Sequence, residues 1–239
     1  MEPNRNLDSV METRDHFKNG ASLKSRMSRR NHTIKTKFLF VLIAIAICLA
    51  GSATMFAQET GVVINGVKWA TRNVDKPGTF ATNPEDAGMF YQWNCRIGWS
   101  ATNPIVNSNG ATDWNGCAED GTWKKSNDPC PIGWRIPTSE ETKSLIDTAK
   151  VTNEWSTING INGRKFTDKT SGKNIFLPFV GNRSGSDGSL RNAGNGLYWI
   201  GMVYKEETYY AFLLCHRYNA AIFTGISKNN VHCVRCVEE

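Results

Sequence analysis

The sequence predicts an α+β domain of small antiparallel sheets, one clear helix and long loops, preceded by an export leader. Three observations predict it. Short runs of β-branched and aromatic residues recur between turn residues from Val62 to the C-terminus. A single capping box stands before a single helical apolar pattern, at Thr138 to Lys150. Six cysteines follow the leader, namely Cys95, Cys117, Cys130, Cys215, Cys233 and Cys236, and an even number in an exported chain reads as a disulfide framework.

The leader comes first. Arg29, Arg30, Lys35 and Lys37 precede an apolar run of thirteen residues, Phe38 to Ala50, and small residues follow before Gln58. That order is the n-region, h-region and cleavage zone of a signal peptide. Thirteen residues fall short of the ~20 that a ~30 Å hydrocarbon core requires. Extension to Ala57 reaches twenty, so an uncleaved N-terminal anchor is the alternative and would be the only membrane attachment. Cleavage is expected after Ala57 or, on the small-residue rule, after Gly51-Ser52-Ala53. Met27 opens a normal signal start and is the alternative initiator. Residues 1–57 are thus read as leader and 58–239 as one domain, exported to the periplasm, the outer surface or the medium.

Charge placement removes one class of partner. The chain carries a formal +6, but residues 1–37 hold nine Lys/Arg against four Asp/Glu, and nineteen stand against eighteen from Gln58 onward. A basic groove for nucleic acid is not expected in the folded part.

Val62 to Ile64, Asn65-Gly66 and Val67 to Thr71 form a hairpin signal, because Asn-Gly accepts the positive φ angles of a tight turn. Gly88 to Trp93 reads as a short aromatic strand. From Cys95 to Asp128 there is little periodicity, and a loop that long is uncommon unless functional or pinned; Cys95 and Cys117 would pin it. Thr138 and Glu141 are placed as a capping box, with Leu145, Ile146 and Ala149 giving an apolar face through about Lys150. Strands are then expected at Arg164 to Thr167 and Asn174 to Phe179, joined by Asp168 to Lys173. Later strands are expected at Leu197 to Tyr204, Thr208 to Cys215, Ala220 to Thr224 and Val231 to Val237. Alternation in the last puts Cys233 and Arg235 on one face and His232, Val234 and Cys236 on the other. Only Cys233-Val-Arg-Cys236 has metal or redox spacing, and it lacks the helix N-terminus that lowers a redox thiol's pKa, so a structural role is expected.

Several blocks are specific. They are Trp69-Ala-Thr-Arg-Asn-Val74, Phe90-Tyr-Gln-Trp93, Asn127 to Glu140, Leu177-Pro-Phe-Val-Gly-Asn-Arg183, Gly188-Ser-Leu190, Gly196-Leu-Tyr-Trp199 and Val234-Arg-Cys-Val237. In this order they resemble the Fibrobacter succinogenes major paralogous domain, over nearly all of the exported chain. The resemblance implies an exported protein with a fold similar to C-type lectins and formylglycine-generating enzymes, and it sharpens fold more than activity. It also implies a disulfide between Cys130 and Cys236, tying the approach to the helix to the last strand. Cys95–Cys117 is expected next, and Cys215–Cys233 as the remaining pair across neighbouring strands. In Pro129 to Thr138 the prolines hold the backbone extended, while Trp134 and Ile136 face the core and Arg135 points out.

Lectin-like folds hold calcium through carboxylate and amide oxygens, but the Glu-Pro-Asn, Gln-Pro-Asp and Trp-Asn-Asp motifs of such sites do not occur, so no cofactor is expected, with calcium as the alternative. Trp69, Trp93, Trp134 and Trp199 read as core. Trp99, Trp114 and Trp123 in the long loop are the candidates for a sugar-stacking surface. The polar loop Gly181 to Gly196 offers Asn182, Arg183, Asp187, Arg191, Asn192 and Asn195 as candidate ligand contacts, since polar loops on a rigid sheet commonly carry recognition. No Gly-x-Ser-x-Gly elbow or His–carboxylate pairing is evident, so catalysis is not expected. The expectation is a non-catalytic exported domain that recognises glycan or surface protein through long loops. The alternatives are a structural or adhesin-type assembly component and, more remotely, a formylglycine-generating-type oxidase.

Overall fold

Asn65 and Gly66 adopt φ of 46° and 82°, and they turn β1 (Val62–Ile64) into β2 (Val67–Trp69) with Val62 opposite Trp69. The structure, a computed structural model, describes residues 59–204, 209–215 and 222–239. The leader expected over residues 1–57 lies outside the described residues. Short strands follow at β3 (Met89–Gln92), β4 (Gly98–Ser100) and β5 (Trp134–Arg135), then α1 (Ser139–Leu145). The hairpin strands β6 (Val151–Ile158), β7 (Ile161–Asp168) and β8 (Asn174–Pro178) come next. The chain continues with β9 (Asn182–Arg183), β10 (Leu190–Arg191), β11 (Gly196–Tyr204), β12 (Tyr209–Cys215), β13 (Ile222–Ile226), β14 (Val231–His232) and β15 (Val237–Glu238).

The strands form four small sheets, ordered β1-β2-β15-β5, β10-β9-β14-β3-β4, β11-β12-β13 and β6-β7-β8, and every strand pairing within them is antiparallel. With one α-helix among the described residues, this is an α+β arrangement. Non-local pairing joins the first hairpin to the last residues, since β15 lies between β2 and β5.

The capping box forms as expected. Glu141 N donates to Thr138 Oγ1 at 3.3 Å, and Thr138 N donates back to Glu141 Oε2 at 2.8 Å. The helix, however, stops at Leu145 rather than near Lys150. Asp147 competes for the backbone there: its Oδ1 accepts from Ala149 N, and its carbonyl accepts from Lys150 N and Val151 N. Arg135 does not simply point out. It makes a two-pronged ion pair with Glu141, at 2.6 and 2.8 Å, which holds the Glu141 pKa below its usual value and locks the start of the helix to β5.

Five strands arise where none was expected: the two-residue β5, β9 and β10, and the longer β4 and β6. Val151–Ile158 turns into β7 through Asn159-Gly160, at φ of 48° and 81°, a second copy of the Asn-Gly signal read at Asn65-Gly66. Gly98–Ser100 pairs with β3 inside the stretch read as loop. The expected last strand also divides. β14 belongs to the sheet with β3 and β9, β15 to the sheet with β2 and β5, and Val231 to Val237 are all buried. The even alternation expected for Cys233 to Cys236 therefore does not apply.

Disulfides join Cys95 to Cys117 and Cys130 to Cys236, with Cα separations of 5.7 and 6.1 Å. The second spans 106 residues, and the chain-entropy model assigns such a loop about 4–5 kcal/mol. The expected Cys215–Cys233 bond is not present: Cys233 is a free, buried thiol. β11 explains it, because Gly196 on β11 faces Cys215 while Tyr198 on the same strand bridges to Cys233. An intervening strand sets the two cysteines about two spacings of ~4.8 Å apart, beyond the ~7 Å limit for a disulfide. Two disulfides fit an oxidising, exported location. Among the described residues no helix is long and apolar enough to cross a membrane.

Asp168 fastens the first hairpin to β7. Its carboxylate accepts from Ser171 N at 2.7 Å, Asn65 N at 2.8 Å and Thr170 N at 3.0 Å, while Asn65 Nδ2 donates to Ser144 O beside the helix end. These bonds, those from Ser171 and Asn65 foremost, hold the Asp168 pKa at about 2. A folded pKa below the unfolded ~3.9 stabilises fully above about pH 4 and is lost as pH falls through the folded value. Asp168→Asn is therefore expected to lower stability at pH 7 and to flatten the loss between about pH 4 and 2. Urea unfolding across that range checks it, and an acid limb as steep as the parent's contradicts it.

Candidate functional site

Three loops meet at the end of the five-stranded sheet where β3 and β9 finish and β14 begins. They are the disulfide-closed segment ending at Cys117 to Asp120, the turn Ser184 to Ser189 between β9 and β10, and the turn Ser227 to Asn230 between β13 and β14. Gln92 at the end of β3 clamps two of them: its Nε2 donates to Asn229 O at 2.7 Å, and its Oε1 accepts from Cys117 N at 2.7 Å. Trp93 N donates to Lys228 O at 3.2 Å, and Lys228 Nζ bonds Asp120.

Between the second and third loops lies an open cleft of about 490 Å³, lined by Ser184, Gly185, Ser186, Ser227, Asn229 and Asn230. Its side chains are hydroxyls and carboxamides, with no charge on the lining itself. The Ser184 and Ser186 hydroxyls lie 2.9 Å apart, and Asn230 Nδ2 donates to Ser227 O at 3.3 Å. The exposed Asn229 carboxamide has no protein partner among the described residues, which leaves both a donor and an acceptor for a ligand. Asp187 stands at the margin. Its carboxylate accepts from the Ser189 hydroxyl at 2.7 Å and amide at 3.1 Å and pairs with Arg191 at 3.4 Å; the Ser189 bonds foremost hold its pKa well below the usual carboxylate range. A larger open hollow of about 680 Å³ lies elsewhere, beside Asp75, Asp86, Ser100 and Thr102, but the Asp86 carboxylate is occupied by Asn83.

The structure separates the residues expected to form a ligand surface. Trp99 is not on the surface: it is 1% exposed, within the core, where its strand pairs with β3. Trp114 is half-buried against it at 4.7 Å, and Trp123 is half-buried against Trp93 at 5.0 Å with Nε1 donating to Asn127 O. Indoles this large gain more from leaving water than from forming a stacking shelf, so the loop folds back onto them. Asn182 and Arg183 are also buried, at 2% and 1% exposure, and are scaffold. Arg183 Nε donates to Ser100 O at 2.7 Å, Nη1 to Gly188 O at 2.6 Å and Nη2 to Thr102 O at 2.6 Å. It thereby stitches β4 to the polar loop. Burial lowers its pKa, and its fan of oxygen acceptors offsets that cost. Asp187 and Arg191 are exposed; Asn195 is half-buried, and its carbonyl accepts from Gly181 N. The cleft residues Ser227, Asn229 and Asn230 were missed, although Ser-Lys-Asn-Asn between two apolar runs is itself a turn signal.

Other reactive groups are committed to the core. His232 is buried against Trp199, with ring centroids 4.4 Å apart, and burial pulls its pKa down to about 3. Burial pushes the Cys233 thiol well above its usual value. Asp128 accepts from Cys130 N and Ile136 N, so its carboxylate holds the approach to the helix. Among the described residues no three of His, Cys, Asp and Glu stand together as a metal-binding group. No family model, curated protein or solved structure matches the chain.

Gly185 sets the shape of the cleft. A Cβ there would stand 2.2 Å from Asn229 O and 2.4 Å from its carbonyl carbon, so the Ser227 to Asn230 turn would have to move. Gly185→Ala is expected to cost about 1–3 kcal/mol and to displace the amide resonances of Asn229 and Asn230. Thermal unfolding and an amide correlation spectrum test this; parent-like values in both would contradict it.

Proposed function

We propose that this chain is an exported recognition domain without a catalytic role, of the Fibrobacter major paralogous type and C-type-lectin-like fold, and that its cleft takes a glycan. The observation that carries the reading is the lining: three serine hydroxyls and two asparagine carboxamides in an open cleft between rigidly tied loops. Hydroxyls and amides that both donate and accept match the alternating demands of a sugar's hydroxyls, whereas a peptide or lipid ligand calls for more apolar lining. Arg183 and Gln92 hold the loops before any ligand arrives, which reduces the ordering cost of binding.

The two disulfides and the balanced charge beyond Gln58 support an extracytoplasmic site of action and a neutral ligand. An oxidase reading draws no support from the terminal cysteines: Cys236 is consumed by Cys130, and Cys233 is buried. Trp114→Ala is a poor test of sugar binding, because that indole packs on Trp99.

The direct test is a glycan array followed by calorimetry on any sugar retained. Asn229→Ala is expected to weaken binding by about tenfold, the value of one or two lost hydrogen bonds, while leaving thermal stability unchanged. Binding that survives both Asn229→Ala and Asn230→Ala, or uniform silence across the array, would overturn the assignment.

A further inference from the structure

Six Asn-Gly pairs follow Gln58, at Asn65, Asn109, Asn115, Asn159, Asn162 and Asn195. Such a pair carries its own chemistry, because glycine has no Cβ to shield its backbone nitrogen from the preceding carboxamide. The glycine nitrogen attacks the asparagine Cγ where the carboxamide swings freely and the amide N–H is not engaged elsewhere.

The fold restrains five of the six. Asn65 and Asn159 sit at positive φ in tight turns, and their carboxamides are held, Asn65 Nδ2 by Ser144 O and Asn159 Nδ2 by Glu85 Oε1. Gly163 is buried in β7 between β6 and β8, and Asn162 Oδ1 accepts from Thr157 Oγ1 at 3.0 Å. Gly196 is buried at the start of β11, opposite Cys215 and bridged to Gly181. Gly110 is exposed, but its N–H donates to Asn107 O at 2.9 Å. Asn115 and Gly116 differ. Both are exposed in irregular backbone, and neither takes part in a hydrogen bond among the described residues.

The next residue makes the position consequential. Cys117 N donates to Gln92 Oε1 at 2.7 Å, its sulfur is bonded to Cys95, and Gln92 Nε2 holds Asn229 O. A Cβ on Gly116 would lie 3.5 Å from Gln92 Nε2, so this backbone rests on the clamp itself.

We propose that Asn115 is a site of spontaneous deamidation, and that isoaspartate formed there releases the Gln92 clamp on the Ser227 to Asn230 turn. The Gly116 nitrogen loses its proton to solvent and bonds to Asn115 Cγ. The Cγ–Nδ2 bond breaks, and the departing nitrogen takes a proton from water and leaves as ammonia. Water then opens the resulting succinimide. Addition at Cγ restores the ordinary linkage as aspartate. Addition at the main-chain carbonyl leaves Gly116 attached through Cγ, as isoaspartate, and lengthens the backbone by a carbon. The disulfide fixes Cys117, so the added length is taken up at its bond to Gln92. Water is the only co-reactant, and the site stands independently of what the cleft binds.

The test ages the purified exported protein in mildly alkaline heavy-oxygen water. Peptide mapping, an isoaspartyl methyltransferase probe and an amide correlation spectrum follow. Label is expected at Asn115 about tenfold faster than at Asn109, the rate equivalent of an attacking amide free of one hydrogen bond. The amide resonances of Cys117 and Asn229 move in the isoaspartate form. Asn115→Asp, which adds the charge without the extra carbon, leaves the Asn229 resonance in place. Gly116→Ala meets only ordinary contacts at its Cβ, so it keeps the fold and slows labelling about tenfold or more. If that variant does not fold, comparison of the six pairs in the parent protein decides alone. Label spread evenly over the pairs, parent-rate labelling in Gly116→Ala, or an aged form whose Asn229 resonance is unmoved or matched by Asn115→Asp would each overturn the proposal.

Discussion

The last nine residues are the constraint on which the remainder depends. Val231 to Val237 run fully buried from one sheet into another, so a single segment of backbone closes both. β14 completes the sheet that carries the cleft, and four residues, Cys233 to Cys236, separate it from β15 in the sheet of the first hairpin. Two side-chain ties hold that passage. Cys236 is bonded to Cys130 at the approach to the helix, and Arg235 places Nε and Nη2 on Asn73 Oδ1 at 2.9 and 2.7 Å. Backbone bonds complete it: Ala70 N to Cys236 O, Val74 N to Val234 O and Trp199 N to Cys233 O. Hydrophobic burial alone would leave such a terminus free to fray, whereas the covalent and hydrogen-bonded ties oppose that.

The cleft inherits its rigidity from this passage. The Ser227 to Asn230 turn leads directly into β14, and its backbone is held by Gln92 and Trp93 at the end of β3. The facing Ser184 turn hangs from Arg183, whose guanidinium reaches into the β4 loop. A buried cation in the middle of a polar loop has little value for contacting ligand and much for fixing where the loop's hydroxyls stand. The residues best suited by chemistry to bind were thus used to build, and smaller neighbours were left to face solvent.

That division explains which parts were legible in the chain. Local rules held where one interaction decided the outcome: the capping box at Thr138, the Asn-Gly turn at Asn65, and the core tryptophans Trp69, Trp93 and Trp199. They failed where a distant partner decided. Trp99 sits in a stretch without periodicity, yet pairing with β3 and contact with Trp114 bury it. Arg183 and Asn182 look like ligand contacts in a Gly/Ser/Asn-rich loop, and only the fold brings Ser100 and Thr102 to the guanidinium. Cys215 and Cys233 fit strand pairing by spacing, but β11 passes between them. Asn159-Gly160 carries the same turn signal as Asn65-Gly66, but Val151 to Ile158 before it has polar residues at most positions, as a half-exposed edge strand does.

Native-state hydrogen exchange in graded denaturant tests the role of the C-terminal passage most directly. The amides of Ala70 and Val74 bond to it from the first hairpin's side, while Trp199 N donates to Cys233 O and Cys233 N to Leu197 O, tying it to β11 on the other. If one buried segment closes both, the four amides exchange with the same opening free energy and the same denaturant dependence, those of global unfolding. An opening that exposes Ala70 and Val74 while Trp199 and Cys233 stay protected, or the reverse, would contradict the account.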